Sequence, residues 1–355
     1  MQKYEDLVKE KFEKLSTKKD VLILSIESSC DETAVAIVKN GREVLANVVS
    51  SQIAIHRLFG GVVPEVASRN HILAISNLYE EALSEANVKA EDLDAIAVTY
   101  GAGLMGALLV GVNFAKGLAY SLKLPLIAVS HIHGHIAANY ISHEDLTPPF
   151  VCLMVSGGHT CILKITDYCD IELVGSTMDD AVGEAFDKVA RCLSLPYPGG
   201  PEIDRLSKEG ENCIKFTVSN SLKDTENFSF SGIKTAVINY LHTKEQKGEE
   251  INKADVARSF SECVTDELVN KTFRAVKESG LDKLVIAGGV GANLMLQSKF
   301  KDSGEKLGLK VYYPKLKFCT DNAAMIGSAA YYYIKNGKGL APLTLSAKPT
   351  VRVDE

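Results

Sequence analysis

Three histidines fall within five residues in His131-Ile132-His133-Gly134-His135. The apolar run from Leu124 reads as a strand, and the segment the histidines open reads as a helix. On a helix His131 and His135 stand one turn apart on one face, where two neutral imidazoles can ligate a single metal ion. His133 falls off that face, as outer support or bystander. The third ligand must come from elsewhere, and Asp321, just ahead of an apolar helix in Thr320-Asp321-Asn322, is the candidate. Taken alone, Asp321 reads first as an N-cap, because an aspartate there accepts backbone N–H bonds. Two imidazoles and one carboxylate suit a divalent ion, Fe(II) or Zn(II). A zinc peptidase of the HExxH kind needs a glutamate after its first histidine; Ile132 stands there.

Glycine turns are the second source of chemistry. Val155-Ser156-Gly157-Gly158-His159-Thr160 joins two strand-like runs. It reads either as a bare hairpin or as a turn whose N–H groups and hydroxyls meet an anion. Ser28–Thr33 holds the equivalent place earlier in the chain. There Asp31 and Glu32 face a phosphate or its cation, or Asp31 serves only the turn. Ala287-Gly288-Gly289-Val290-Gly291-Ala292-Asn293 follows a strand and opens a helix, a place for a nucleotide. Asn293 stands where a dinucleotide fingerprint has its third glycine. Glu184 and Asp187 share a helical face, and Asp204 lies past a proline-glycine turn. Such carboxylates suit ribose hydroxyls or line a solvated surface. Lys234 reads as a phosphate contact or a surface charge.

These residues need elements to carry them. Val21–Glu27 is a buried-strand run, and Asn40-Gly41 splits the next two strands in the manner of a hairpin. Strand, small-polar turn closing in threonine, strand, turn, strand then recurs from Phe150. Leu281–Asn293 likewise mirrors Leu93–Gly103, so the chain reads as an internal duplication. The expected divisions are a polar helix outside the core at 1–20 and a first lobe at 21–147, ending at Thr147-Pro148-Pro149. A second lobe follows at 148–340, interrupted by 190–255, and a tail at 341–355. The interruption reads as a surface insertion or a loop-rich wall of the site. Two such lobes leave a cleft, where ligands sit.

Bulk properties narrow the class. With 355 residues, 46% hydrophobic and 24% charged, the chain is globular in composition. A net charge of −6 argues against coating nucleic acid by bulk electrostatics. The eight cysteines include no CxxC pair and read as the reduced thiols of a cytoplasmic protein. The N-terminus lacks the apolar stretch of a signal peptide. The uncharged run from Ala102 to Phe114 is too short to span a bilayer, so no membrane is expected.

ESSCDETAVAI, PEVASRNH, HIHGH, VSGGHT, GEAFDKVAR, LPYPGGPEID, FSFSGIKTA, AGGVGAN and CTDNAAMIG occur in this order. Together they resemble the tRNA threonylcarbamoyladenosine transferase family, TsaD, formerly labelled O-sialoglycoprotein endopeptidase. The resemblance runs from about Val21 to about Asn336. It implies an α/β, two-lobed actin/Hsp70/hexokinase-like (ASKHA) ATPase fold. It implies transfer of a threonylcarbamoyl group from threonylcarbamoyl-AMP to N6 of the adenosine 3′ of the anticodon, in tRNAs reading ANN codons. It assigns His131, His135 and Asp321 as metal ligands, usually to iron. Met154, Val155, Ser156, Gly157, Gly158, Asp187, Gly200, Asp204 and Asn293 match substrate-binding positions. It implies tRNA, a paralogous pseudo-enzyme partner (TsaB-like) and a small ATPase (TsaE-like) as partners. Leu153-Met154-Val155 offers no tyrosine beside the glycine turn, which points to the bacterial type. Asp31 or Glu32 is expected to assist proton removal. The alternatives are a metallopeptidase and a sugar- or acetate-kinase-like phosphotransferase of the same fold.

Overall fold

A computed structural model describes residues 2–218 and 222–353. In chain order it contains α1 (Gln2–Leu15), β1 (Leu22–Glu27), β2 (Glu32–Lys39), β3 (Glu43–Ser51), α2 (Ile53–Arg57), α3 (Pro64–Ala86), β4 (Ala95–Gly101), α4 (Met105–Leu122), β5 (Leu126–Ser130) and α5 (His131–Ser142). It continues with β6 (Phe150–Val155), β7 (Thr160–Asp167), β8 (Asp170–Ser176), α6 (Val182–Cys192), α7 (Gly199–Ser207), α8 (Ser231–Gln246) and α9 (Lys253–Ser279). The last elements are β9 (Lys283–Ala287), α10 (Leu294–Leu307), β10 (Lys310–Tyr312), α11 (Ala323–Lys335) and β11 (Leu340–Ala341).

The elements form two compact units: Met1–Pro148 with Asp167–Asp170 and Pro314–Glu355, and Pro149–Thr166 with Ile171–Tyr313. The first unit holds a sheet of strand order β11-β5-β4-β1-β2-β3. β1 is antiparallel to β2 and parallel to β4, and β4 is parallel to β5. The β2–β3 turn uses left-handed Asn40 (φ 53°) and Gly41 (φ 70°), the pair a tight hairpin demands. α3 and α4 pack against β2, β3 and β4, and α11 packs against β1, β2 and α5. β1 is apolar along almost its whole length and is buried there, as expected of a strand covered on both faces.

The second unit holds a sheet of order β10-β9-β6-β7-β8. β6 is antiparallel to β7 and parallel to β9, and β10 is parallel to β9. The row β9-β6-β7-β8 therefore repeats β4-β1-β2-β3, so the duplication read from the pattern is present in the topology. Phe186 and Phe260 meet edge-to-face at 5.1 Å in this unit's core.

Four expectations change. α1 is not outside the core: Tyr4, Val8, Phe12 and Leu15 are buried on one face, and Tyr4 Oη donates to Leu124 O at 2.9 Å. The described residues of 190–255 are no mere surface insertion, because Ile203, Phe216, Phe228, Phe230, Ile233 and Val237 enter the second unit's core, while 219–221 lie outside the described residues. Residues 314–340 group with the first unit, because α11 lies against β1 and α5. The segment after them is not a loose tail: β11 pairs with β5, and Ala347 and Val351 are buried. The apolar run after Ala102 becomes α4, 18 residues with a mean hydropathy of 1.3. α4 turns Ala107, Leu108, Gly111, Val112, Ala115 and Ala119 inward.

Candidate metal centre and nucleotide turns

β5 ends at Ser130 and α5 begins at His131, so the strand delivers the first histidine to the sheet's carboxyl end. The helical turn then carries His135 back beside it. His131 Nε2 lies 3.1 Å from His135 Nε2. Asp321 Oδ1 lies 3.5 Å from the first and 3.2 Å from the second. Donors holding one ion at about 2.0–2.2 Å stand roughly 3.0–3.5 Å apart across octahedral or tetrahedral angles. The three atoms already have that spacing, so the residues fit a divalent ion.

Asp321 reaches this point because it does not cap α11. The cap is Asn322, whose Oδ1 accepts the Met325 N–H at 3.0 Å. Gly134 permits the approach of the two helices: a Cβ there would meet Ile326 Cδ1 at 2.6 Å and Met325 Cγ at 3.2 Å. Glycine at this position lets α5 lie against α11, and the ligands follow.

Glu27, fully buried at the end of β1, stands behind the first candidate ligand. Its Oε2 lies 3.1 Å from His131 Nδ1 and accepts the Thr99 hydroxyl at 2.7 Å. Its Oε1 accepts the Ser29 N–H at 2.5 Å. The Ser29 hydroxyl lies 3.1 Å from the same His131 Nδ1. A carboxylate behind a ligating imidazole fixes its tautomer and raises its basicity. Burial opposes charge on His131, but Asp321 and Glu27 outweigh it and raise the imidazole to about 9. His135 moves the other way, lowered first by burial and then by the neighbouring His131.

His133 is not part of this cluster. Its Nδ1 meets the Tyr333 hydroxyl, and its Nε2 donates to Val353 O at 3.0 Å. Asp31 is buried in the turn between β1 and β2. Burial, then the negative charges of Asp321 and Asp31, push the Glu32 carboxyl up to about 9. Glu32 Oε1 accepts the Ser51 hydroxyl at 3.1 Å.

In the second unit the glycine turns end neighbouring parallel strands. β6 and β9 run in register from Val151↔Leu284 to Met154↔Ala287. A Cβ on Gly288 (φ +91°) would lie 2.4 Å from Val155 O, so the two turns lie against each other. Met154 and Val155 are buried in β6, while Gly157 and Gly158 stand exposed at the tip. Ser156 closes the tip, with its N–H donating to His159 O at 2.8 Å and its hydroxyl accepting from His159 N at 3.1 Å. Thr160 Oγ1 accepts the Val182 N–H at 2.8 Å, and Gly183 N donates to Ser156 O at 3.3 Å. The start of α6 is thus tied to the turn. Farther along α6, Asp187 Oδ1 accepts the Gly199 N–H at 2.7 Å at the start of α7, where a Cβ added at Gly200 would point into open space. Asp204 sits 3.6 Å from Lys208, and Asn293 caps α10 through the Leu296 N–H at 2.9 Å. Crevices at the carboxyl ends of parallel strands, edged by helix starts, receive nucleotides in α/β folds. Lys234 is not a loose surface charge. It donates to Asp180 Oδ2 at 2.7 Å, and Lys188 donates to the same carboxylate at 2.9 Å.

A family model described as TsaD, tRNA N6-adenosine threonylcarbamoyltransferase, matches residues 43–328. The tRNA N6-adenosine threonylcarbamoyltransferase of Clostridium perfringens is 58% identical over 335 residues, 94% of this chain and 98% of the relative. The enzyme of the same name from Clostridium novyi is 58% identical over 339 residues, covering 95% and 99%. The chain belongs to the TsaD family. Among solved structures, full-length HypF in its phosphate- and nucleotide-bound form aligns with a TM-score of 0.59 at 16% identity, over 90% of this chain and 47% of HypF. Component A of the (R)-2-hydroxyglutaryl-CoA dehydratase of Acidaminococcus fermentans aligns with a TM-score of 0.53 at 15% identity, over 89% and 98%. At such identities the likeness carries the fold alone, which is that of the ASKHA ATPases.

Within this family frame, sequence reasoning missed Glu27 and Asn322. Asn322 had a readable signal, since asparagine before an apolar helix is as good a cap as aspartate. Glu27 had a weaker one: a carboxylate closing an apolar strand needs a buried partner, but the partner lies 104 residues away.

Proposed function

We propose that the chain transfers the threonylcarbamoyl group of threonylcarbamoyl-AMP to N6 of the adenosine 3′ of the anticodon, in tRNAs reading ANN codons. Family membership supports the reaction. The observation that carries the site is the convergence of His131 Nε2, His135 Nε2 and Asp321 Oδ1 within 3.5 Å of one another.

In the reaction the adenine N6 forms a bond to the carbamoyl carbon. The bond from that carbon to the phosphate oxygen breaks, AMP leaves with the electron pair, and N6 loses one proton. His131, His135 and Asp321 would hold one divalent ion, Fe(II) in the first instance and Zn(II) in the second. Such an ion supplies positive charge and Lewis acidity for a carbonyl. Glu27 and Ser29 keep His131 in the ligating orientation. Ser156, Gly157, Gly158, Asp187, Gly200, Asp204 and Asn293, with Met154 and Val155 beneath the turn, would receive the AMP portion. Asp31 or Glu32, in the turn between β1 and β2, is the candidate acceptor of the N6 proton. Adenine N6 is a weak nucleophile, so positioning carries much of the rate.

Family membership supports a TsaB-like paralogue and a TsaE-like ATPase as partners and a cytoplasmic location. The test is purified chain with threonylcarbamoyl-AMP, unmodified tRNA and the partner proteins, read as threonylcarbamoyladenosine by mass analysis of nucleosides. Absence of the modified nucleoside in the complete mixture would sink the proposal.

A further inference from the structure

The segment Pro64–His71 has no part in the site as described so far, yet its last residue reaches the turn that carries Asp31 and Glu32. His71 lies on α3 and is fully buried. Its Nε2 lies 2.9 Å from Cys30 O and its Nδ1 2.7 Å from Thr33 Oγ1. A carbonyl oxygen only accepts, so Nε2 carries the hydrogen and Nδ1 accepts from the Thr33 hydroxyl. Burial lowers the imidazole below its ordinary value, consistent with a neutral ring that donates once and accepts once. One imidazole therefore grips the residues on either side of Asp31-Glu32.

The rest of the turn is held by other groups. Gln52 N donates to Asp31 O at 3.0 Å, and Leu104 N donates to Ser29 O at 2.8 Å. Ser28 Oγ donates to Ala107 O at 3.0 Å. β1 stops at Glu27 and β2 starts at Glu32, so no strand ladder fixes Cys30. His71 supplies the missing tie from a helix 41 residues along the chain.

We infer that His71 is a positioning residue for the reaction: it sets the geometry of Asp31 and Glu32 by clamping Cys30 O and Thr33 Oγ1. The inference rests on the transfer activity proposed above and on Asp31 and Glu32 acting in it. His71 touches none of the three metal-ligand atoms, so loss of the clamp slows transfer without loosening the ion.

The test compares full-length wild type with His71→Ala, His71→Gln, Thr33→Val and the pair His71→Ala/Thr33→Val. Single-turnover transfer, KM for threonylcarbamoyl-AMP and Co(II) affinity are measured on each. A displacement near 1 Å costs on the order of 100-fold in rate, so His71→Ala is expected to slow transfer about 10- to 100-fold. KM and Co(II) affinity should stay within about threefold, a smaller change than losing one hydrogen-bond partner of a metal-bound side chain makes. Glutamine places an amide N–H near the Nε2 position and should recover much of the rate. Thr33→Val should slow transfer several-fold alone and add little to His71→Ala, because both cut one clamp. If His71→Ala does not fold, Thr33→Val decides: an unchanged rate overturns the inference. Co(II) affinity falling in step with the rate also overturns it, as does glutamine behaving like alanine. A wild type that transfers nothing overturns the proposed function and this inference together. An active wild type with unaltered variants overturns the inference alone.

Discussion

His131 and Glu27 show how one residue's chemistry depends on another's placement. Removing the His131 imidazole leaves two donors, too few to hold an ion against water. His131→Ala is therefore expected to lose stable metal uptake, read as metal content after dialysis, with the far-ultraviolet circular dichroism of the wild type retained. A variant that keeps both metal and full transfer activity would overturn the ligand assignment. Glu27→Gln keeps the shape of the side chain and removes its charge. Loss of such a partner typically costs about 10- to 100-fold in metal affinity, and competition with a chromophoric chelator measures it. The His-x-x-x-His spacing was legible because helical periodicity is a local property. That Asn322 and not Asp321 caps α11, leaving the Asp321 carboxylate beside the two imidazoles, was not, because it depends on the position of α11 beside α5.

At the scale of elements, the candidate ligand atoms meet because α5 and α11 pack closely. Gly134 sits at the contact, with Ile326 Cδ1 2.6 Å from where a Cβ would be. Leucine there improves helix propensity by roughly 1 kcal/mol but overfills the interface. Overpacking costs about 1–3 kcal/mol, so Gly134→Leu is expected to be destabilised in urea and to bind metal more weakly. A variant of wild-type stability and affinity would show that the approach of the helices is not what sets the site. Asn322→Ala removes the cap of α11. It should cost about 1 kcal/mol in the same titration, whereas Asp321→Ala should cost less stability but lose the metal. Sequence patterning located both helices. Their crossing point was not legible, because a glycine permits close approach without naming its partner.

At the scale of the whole molecule, acid sensitivity is written into the second unit. Asp179 accepts from the Ser229 hydroxyl at 2.5 Å, the Ser231 hydroxyl at 2.6 Å and the Phe230 N–H at 2.8 Å. Asp180 lies between Lys188 and Lys234. Burial raises both carboxyls, but these partners outweigh it and hold them below the ordinary carboxylate range. A depressed folded-state value means the stabilisation is complete above about pH 4 and drains away as pH falls through the folded values. Urea midpoints for the second unit should therefore drop as pH falls below about 4, and Asp180→Asn should flatten that dependence. An equally steep acid limb in Asp180→Asn would rule out this origin.

The sequence by itself determined the family, the duplicated order of strands and helices, and the residue types able to bind a metal and a nucleotide. All of these depend on neighbours along the chain: periodicity, turn residues and ordered motifs. The tertiary structure decided which unit Pro314–Glu355 joins and that one face of α1 and Ile203, Phe216, Phe228, Phe230, Ile233 and Val237 belong to the core. It also decided that Asn322 caps α11 and leaves Asp321 beside the two imidazoles, that Glu27 lies behind His131, and that Lys234 pairs with Asp180. Each of those is a contact between segments far apart in sequence. Its energy comes from burial and mutual desolvation, which no local pattern encodes.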